Sequence, residues 1–234
     1  MNRYEFIEKL KELDLNPTDR QLDQLEEYYQ LLIEWNKKMN LTAITEKSQV
    51  YLKHFFDSLT VNKIIDLKKE NSLCDIGTGA GFPGIVLKIF YPDLNVTLVD
   101  SLNKRIVFLN EVISKLGLTK IEAIHARAEE YGKENREKYD VVIARAVAPI
   151  NILAEYCIPL IKKNKYFISM KGDISREISL LEQSLNKISA KLIKTEEFLL
   201  PKEESKRTLL LISKENKTLE KYPRKNSEIK KNPL

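Results

Sequence analysis

The sequence predicts an α/β fold with a parallel sheet closed at one edge by an antiparallel hairpin, and three observations carry that expectation. Short apolar runs at residues 73–76, 95–100, 121–126, 139–144 and 166–170 alternate with helix-length segments, the pattern of strand–helix–strand crossovers. The first run breaks into Gly77-Thr78-Gly79-Ala80-Gly81-Phe82-Pro83-Gly84, which holds four of the chain's seven glycines. The last two runs, 191–199 and 207–213, have only the charged loop 201–206 between them. With no room for a crossover, they can pair only as a hairpin.

In chain order, residues 1–47 read as a helical cap. Phe6, Ile7, Leu10 and Leu13 mark a first helix that ends near Asn16-Pro17. Thr18-Asp19-Arg20-Gln21 is a capping-box pattern, and Leu22, Leu25, Tyr29, Leu32, Ile33 and Trp35 follow at helix-face spacing, so a second helix is expected over about 18–38. Residues 48–213 form the core. Its opening segment, 48–65, carries Val50, Leu52, Phe55, Phe56, Leu59, Val61 and Ile64, and helices are expected at 85–90, 104–116, 150–161 and 175–189. Residues 214–234 read as an irregular basic tail, with seven basic side chains against three acidic.

Length and composition bound the possibilities. At 234 residues, 43% hydrophobic and 31% charged, the chain suits one α/β domain with an appendage. No stretch approaches the roughly 20 apolar residues of a membrane span, and the first residues carry no apolar secretory segment. A cytoplasmic, membrane-free monomer is expected. Cys74 and Cys157 lie in apolar contexts without metal-ligand spacing and read as reduced core thiols; no metal site is expected. The net charge of +5 is concentrated in the tail, where it suits either a phosphate-contacting arm or a solvated terminus.

The chemistry centres on the glycine loop. Glycine is required where φ is positive or a ligand approaches main chain closely, and the loop runs into the start of a helix with its unpaired N–H groups. A dinucleotide fingerprint would need G-x-G-x-x-G, but Phe82 holds the third-glycine position and Gly81 comes one residue early. Asp75-x-Gly77-x-Gly79-x-Gly81 instead resembles the first motif of class I S-adenosylmethionine-dependent methyltransferases, which puts Asp75 near the cofactor's methionine ammonium. Asp100, at the end of the second strand, is placed to accept ribose hydroxyls, or else to cap the following helix. Ala128 and Glu129, after the third strand, fall where an adenine edge would lie. At the end of the fourth strand, Ala144-Arg145-Ala146-Val147-Ala148 replaces the [DN]-P-P-[YF] of amino-group methyltransferases, which disfavours an exocyclic amine as acceptor. Arg145 is open to a phosphate, to the cofactor carboxylate, or to pairing with Asp75 or Asp140.

Taken together, Trp35-Asn36-Lys37-Lys38-Met39-Asn40-Leu41-Thr42, His54-Phe55-Phe56-Asp57-Ser58, residues 75–84, Asp100 to Arg105, Ala126 to Glu129, Arg145-Ala146 and Lys171-Gly172 resemble the RsmG (GidB) family. That family comprises bacterial 16S ribosomal RNA methyltransferases acting on N7 of the guanine at position 527, in the 530 loop. The resemblance implies a seven-stranded Rossmann-like sheet, S-adenosyl-L-methionine as cofactor held by Gly77, Phe82, Ala128, Glu129 and Arg145, and 16S rRNA or an assembling small subunit as partner. In the tail, Tyr222-Pro223-Arg224-Lys225 fits the family, but Asn226-Ser227 stand where a glycine-containing turn is expected. Guanine N7 has an in-plane lone pair and no hydrogen, so no catalytic acid or base is assigned. His54, Asp57 and Arg145 are the candidates for orienting the base, although His54 on an apolar face equally suits a core histidine. The base must be splayed from any A-form helix to be reached. Lys37, Lys38, Lys104, Arg105, Lys171 and the tail are expected to meet phosphates. A nucleotide-dependent oxidoreductase and a non-catalytic RNA-binding module are the alternatives.

Overall fold

β1 (Ser72–Ile76), the strand that enters the glycine loop, lies near the middle of a seven-stranded sheet in the computed structural model, which describes residues 1–145, 148–175 and 177–234, residues 178–180 by their backbone alone. The strand order is β3-β2-β1-β4-β5-β7-β6, with β2 (Asn95–Asp100), β3 (Ile121–His125), β4 (Tyr139–Arg145) and β5 (Ile161–Lys171) running parallel to β1. β7 (Lys206–Lys214) inserts antiparallel between β5 and β6 (Ala190–Leu199), so the expected hairpin closes the sheet. Both faces are covered, and for that reason β1 and β4 read as continuous apolar runs.

Alternate residues serve different layers. Leu73, Val141 and Ile143 belong to one core, with α1 (Arg3–Lys11), α2 (Asp19–Met39), α5 (Gly84–Phe90) and α6 (Asn103–Lys115). Cys74, Val142 and Ala144 belong to the other, with α8 (Ile150–Cys157), α9 (Ile178–Lys187) and the C-terminal segment. The Thr18–Gln21 capping box forms as expected. The helical cap shares the first core, and Gln21 and Gln24 donate to the Ile89 and Leu116 carbonyls at 3.0 and 2.8 Å.

Between cap and sheet, residues 47–63 form one broken helical run. α3 (Lys47–Val50) passes into a π-helical turn, Tyr51–Phe56, then α4 (Asp57–Leu59) and a 3-10 turn, Thr60–Lys63. The π turn presents His54 and the start of α4 presents Asp57 near the end of β4. Such turns recur where a side chain is re-aimed for function.

Hydrophobic periodicity does not announce the short helices α7 (Ala128–Glu134) and α10 (Asn226–Lys231). α10 belongs to the largest correction. The tail from 214 is not an irregular arm but a segment packed on the second core through Tyr222, Ile229 and Leu234, all buried. Its basic residues divide accordingly. Lys214 is buried on the Ile161 carbonyl and Arg224 is paired with Glu155, whereas Lys217, Lys221, Lys225, Lys230 and Lys231 remain exposed.

Candidate functional site: two cavities at the strand ends

The glycine loop turns over the carboxyl end of β1, held by the Gly77 and Thr78 amides on the Val99 carbonyl at 2.8 and 3.2 Å. Its glycines serve two purposes. Gly77 and Gly79, at φ +71° and +64°, line the cavity, and a Cβ on Gly79 would meet nothing closer than 4.0 Å. Bare backbone thus faces the open space. Gly81 and Gly84 face inward: a Cβ on Gly81 would lie 2.5 Å from the Tyr28 hydroxyl, and one on Gly84 2.2 Å from Leu98. Gly81, expected at the cofactor, therefore seats helix α2 against the loop, where the Tyr28 hydroxyl also donates to the Ala80 carbonyl.

Asp75 needs a similar correction. It is fully buried beneath the loop and absent from the cavity wall, with Oδ2 accepting from the Thr78 hydroxyl at 2.7 Å and the Gly84 amide at 2.8 Å. Burial raises its carboxyl to about 6 against the pull of these donors, and Oδ1 has no partner among the described residues. Asp75 shapes the loop.

The cavity, of about 580 Å³, opens where β1, β2, β3 and β4 end. Gly77, Gly79, Phe82, Asp100, Ala128, Glu129, Arg145 and His54 all line it. Both oxygens of Asp100 are engaged, Oδ2 by the Gly79 amide and Arg105, each at 3.0 Å, and Oδ1 by the Leu102 amide at 2.9 Å. Arg105, expected to meet phosphate, is thus paired with Asp100. Glu129 differs, for its buried carboxylate has no hydrogen bond or ion pair among the described residues.

At the other end of the cavity His54 stacks on Phe82 with ring centroids 4.4 Å apart, and the Arg145 guanidinium lies 5.3 Å from the Phe82 ring centre. Arg145 donates to the Lys53 carbonyl at 3.1 Å and to Asp57 Oδ2 at 3.2 Å, with its other nitrogen 3.4 Å from His54 Nδ1. Asp57 is therefore its partner, rather than Asp75 or Asp140. Because arginine can only donate, Nδ1 is the acceptor and Nε2–H points to Thr42 Oγ1 at 2.9 Å. Burial, then the charge of Arg145, lowers the imidazole to about 3, so it is neutral at pH 7.

A second cavity of about 380 Å³ adjoins the first and shares His54 and Arg145 with it. Its walls include Asp57, Lys53, Lys171 and Arg207; Arg145 and Arg207 both pair with Asp57, while Lys53 pairs with Glu203 at 2.9 Å. Arg207 Nε donates to Asp57 Oδ1 at 2.9 Å across 150 positions of sequence. No local signal marks Arg207 or Tyr28 as site residues. Lys171 is held by the Ala148 carbonyl and Glu177. Ala146 lies outside the described residues, as does Val147. Among the described residues no group of three histidine, cysteine or acidic side chains is placed to hold a metal.

A parallel five-stranded sheet closed by an inserted antiparallel strand, with a glycine loop after its first strand, is the fold of class I methyltransferases. M. jannaschii TYW2 in complex with AdoMet matches it with a TM-score of 0.51 at 19% identity, over 62% of this chain and 68% of that one. An O-methyltransferase domain of StiE matches with a TM-score of 0.55 at 13% identity, over 70% and 75%. A family profile described as rRNA small subunit methyltransferase G (GidB) matches residues 21–210, and the chain belongs to that family. Proteins named ribosomal RNA small subunit methyltransferase G from Macrococcus caseolyticus and Desulforamulus reducens are 49% and 52% identical to it. The first alignment covers 100% of this chain and 99% of the relative, the second 96% and 95%.

Proposed function

We propose that this protein transfers a methyl group from S-adenosyl-L-methionine to N7 of a guanine in the 530 loop of 16S ribosomal RNA, acting as a monomer in the cytoplasm on the RNA or on an assembling small subunit. The observation that carries the reading is the meeting of two cavities on one pair of side chains, His54 and Arg145. The larger suits the methyl donor and the smaller, cationic one suits a nucleotide splayed out of the RNA.

The residues present fit the donor. Gly77 and Gly79 offer backbone with no side chain in the way, and the Glu129 carboxylate, without a hydrogen-bond partner among the described residues, suits the amino group of the adenine. Bound there, S-adenosylmethionine would supply a methyl carbon activated by the adjacent sulfonium. Phe82, packed between His54 and Tyr28, seals one side against water. Neutral His54 takes no proton from the acceptor and none needs taking, because N7 carries no hydrogen. Its work is geometric: with Arg145 braced on Asp57 and the Lys53 carbonyl, it holds the boundary between the cavities rigid. Rigid alignment of this kind accounts for several kcal/mol of barrier.

The name shared by the relatives supports the RNA substrate, and the absence of a [DN]-P-P-[YF] sequence after β4 supports a ring nitrogen over an exocyclic amine. No helix among the described residues is long and apolar enough to cross a membrane. Labelled methyl transfer to ribosomal RNA from a strain lacking the modification tests the assignment: 7-methylguanosine is expected, and any other methylated nucleoside rejects the acceptor.

A further inference from the structure

The C-terminal segment is fastened to the methyltransferase core at every turn. Arg136 donates to the Thr218 carbonyl at 2.6 Å and to that of Tyr222. Fully buried Glu155 on α8 takes the Arg224 amide and Nε at 2.8 Å each and Nη2 at 2.6 Å. A Cβ on Gly132 would stand 3.2 Å from Pro223, so α7 and this segment are in close contact. Ser184 donates to the Leu234 carbonyl at 3.0 Å. A loose phosphate-seeking arm would not bury a charge pair and three apolar anchors.

These fastenings set α10 at the larger cavity, where Asn226 and Lys230 join Tyr156 on the wall. Tyr156 feels the charges of Glu129 and Arg127, so this wall stands at the end of the cavity after β3, separated by two strands from β4 with Arg145, where an adenine edge is expected beside Ala128 and Glu129. The Tyr156 hydroxyl donates to Asn226 Oδ1 at 2.7 Å. This bond fixes the amide and leaves its other polar atom uncommitted at the cavity, whichever way the amide is turned.

We infer that the C-terminal segment is a wall of the methyl-donor site, with Asn226, oriented by Tyr156, hydrogen-bonding the adenine of the donor. This rests on the proposed use of S-adenosylmethionine and adds to it a contact carried by the last nine residues. Tyr156 is a positioning residue.

The test compares the full-length wild type with Asn226→Ala and Tyr156→Phe, measuring Kd by calorimetry for S-adenosylhomocysteine and for 5′-methylthioadenosine, which has the nucleoside but no amino-acid portion. Loss of a neutral hydrogen bond in such a site weakens binding about tenfold. Asn226→Ala should show about that loss, equally for both ligands, and Tyr156→Phe about a threefold loss, with melting of the ligand-free protein and affinity for ribosomal RNA unchanged. Wild-type Kd values in both variants overturn the inference, and weakened RNA binding alongside them returns the segment to the role of an RNA arm. Should Asn226→Ala fail to fold, Tyr156→Phe decides, since it keeps the ring. A wild type that binds neither ligand rejects the methyl-donor reading itself.

Discussion

The two cavities are built by opposite means. The larger takes one wall from main chain and small residues of a loop that is continuous in sequence, and the shape of that wall follows from glycine positions at 77 and 79 and the buried Asp75 that ties Thr78 to Gly84. The smaller is walled by long charged side chains from the π turn, β4, β5 and β7, held by ion pairs spanning 88 and 150 positions. A backbone-built pocket fails when an atom is added. A pocket built from ion pairs fails when a partner is removed.

That contrast can be broken at several points. The largest effect is expected at Gly84→Ala, whose Cβ would collide with Leu98 and Asp75. Destabilisation of about 3 kcal/mol, read as a lowered denaturation midpoint, is the outcome; a protein as stable as the wild type would show that the loop can shift. Gly77→Asp adds a side chain to the cavity wall at positive φ, and methyl transfer should fall on the order of hundredfold while the fold survives. Full transfer would remove the loop from the site.

In the smaller cavity, Arg145→Lys should cost about 2 kcal/mol and weaken transfer. An ammonium cannot reach the Lys53 carbonyl, Asp57 and His54 together, whereas Asp57 keeps Arg207 as a partner. If lysine restores activity in full, charge rather than the planar fork is what the boundary needs.

A smaller effect separates the two regions by pH. His54 is lowered to about 3 in the folded protein, so the unfolded chain binds its proton first. Stability from His54 is complete above about pH 6.5 and is lost as pH falls. Asp75 is raised to about 6, so its contribution runs the other way, present in acid and lost as pH rises through that value. Relative to His54→Gln, the wild type should lose about 1 kcal/mol between pH 6.5 and 5.5, and Asp75→Asn should remove a slope of opposite sign. Parallel unfolding profiles for all three proteins would contradict these environments. The smallest change is expected for Lys37→Ala on the exposed end of α2, lowering the salt slope of RNA binding by about one.

Much of the fold is legible in the sequence because its determinants are local or periodic. The five parallel strands are apolar runs long enough to be buried on both faces, and the hairpin follows from the missing helix between its strands. The Thr18–Gln21 cap is a four-residue signal. Within the site, the part of the larger cavity's wall that lies in the loop and at the strand ends is placed by chain direction alone, whereas Thr42, His54, Tyr156 and Asn226 reach it from distant segments. Gly81 and Gly84 belong to the same local pattern, yet what they face depends on Tyr28 and Leu98, which only folding brings near.

Composition and spacing by themselves determined the sheet, the loop that breaks from its first strand, and a cavity at the carboxyl ends of β1 to β4. Only the tertiary structure decided that Asp57 sits between Arg145 and Arg207, that a basic tail is a packed segment rather than an arm, and that one aspartate shapes the loop while Glu129 has no partner among the described residues. Hydrogen-bonded turns and alternating burial act over a few residues and leave a trace in the order of side chains. Ion pairs and steric fits between distant segments depend on where the whole chain has gone, and no stretch of sequence records that.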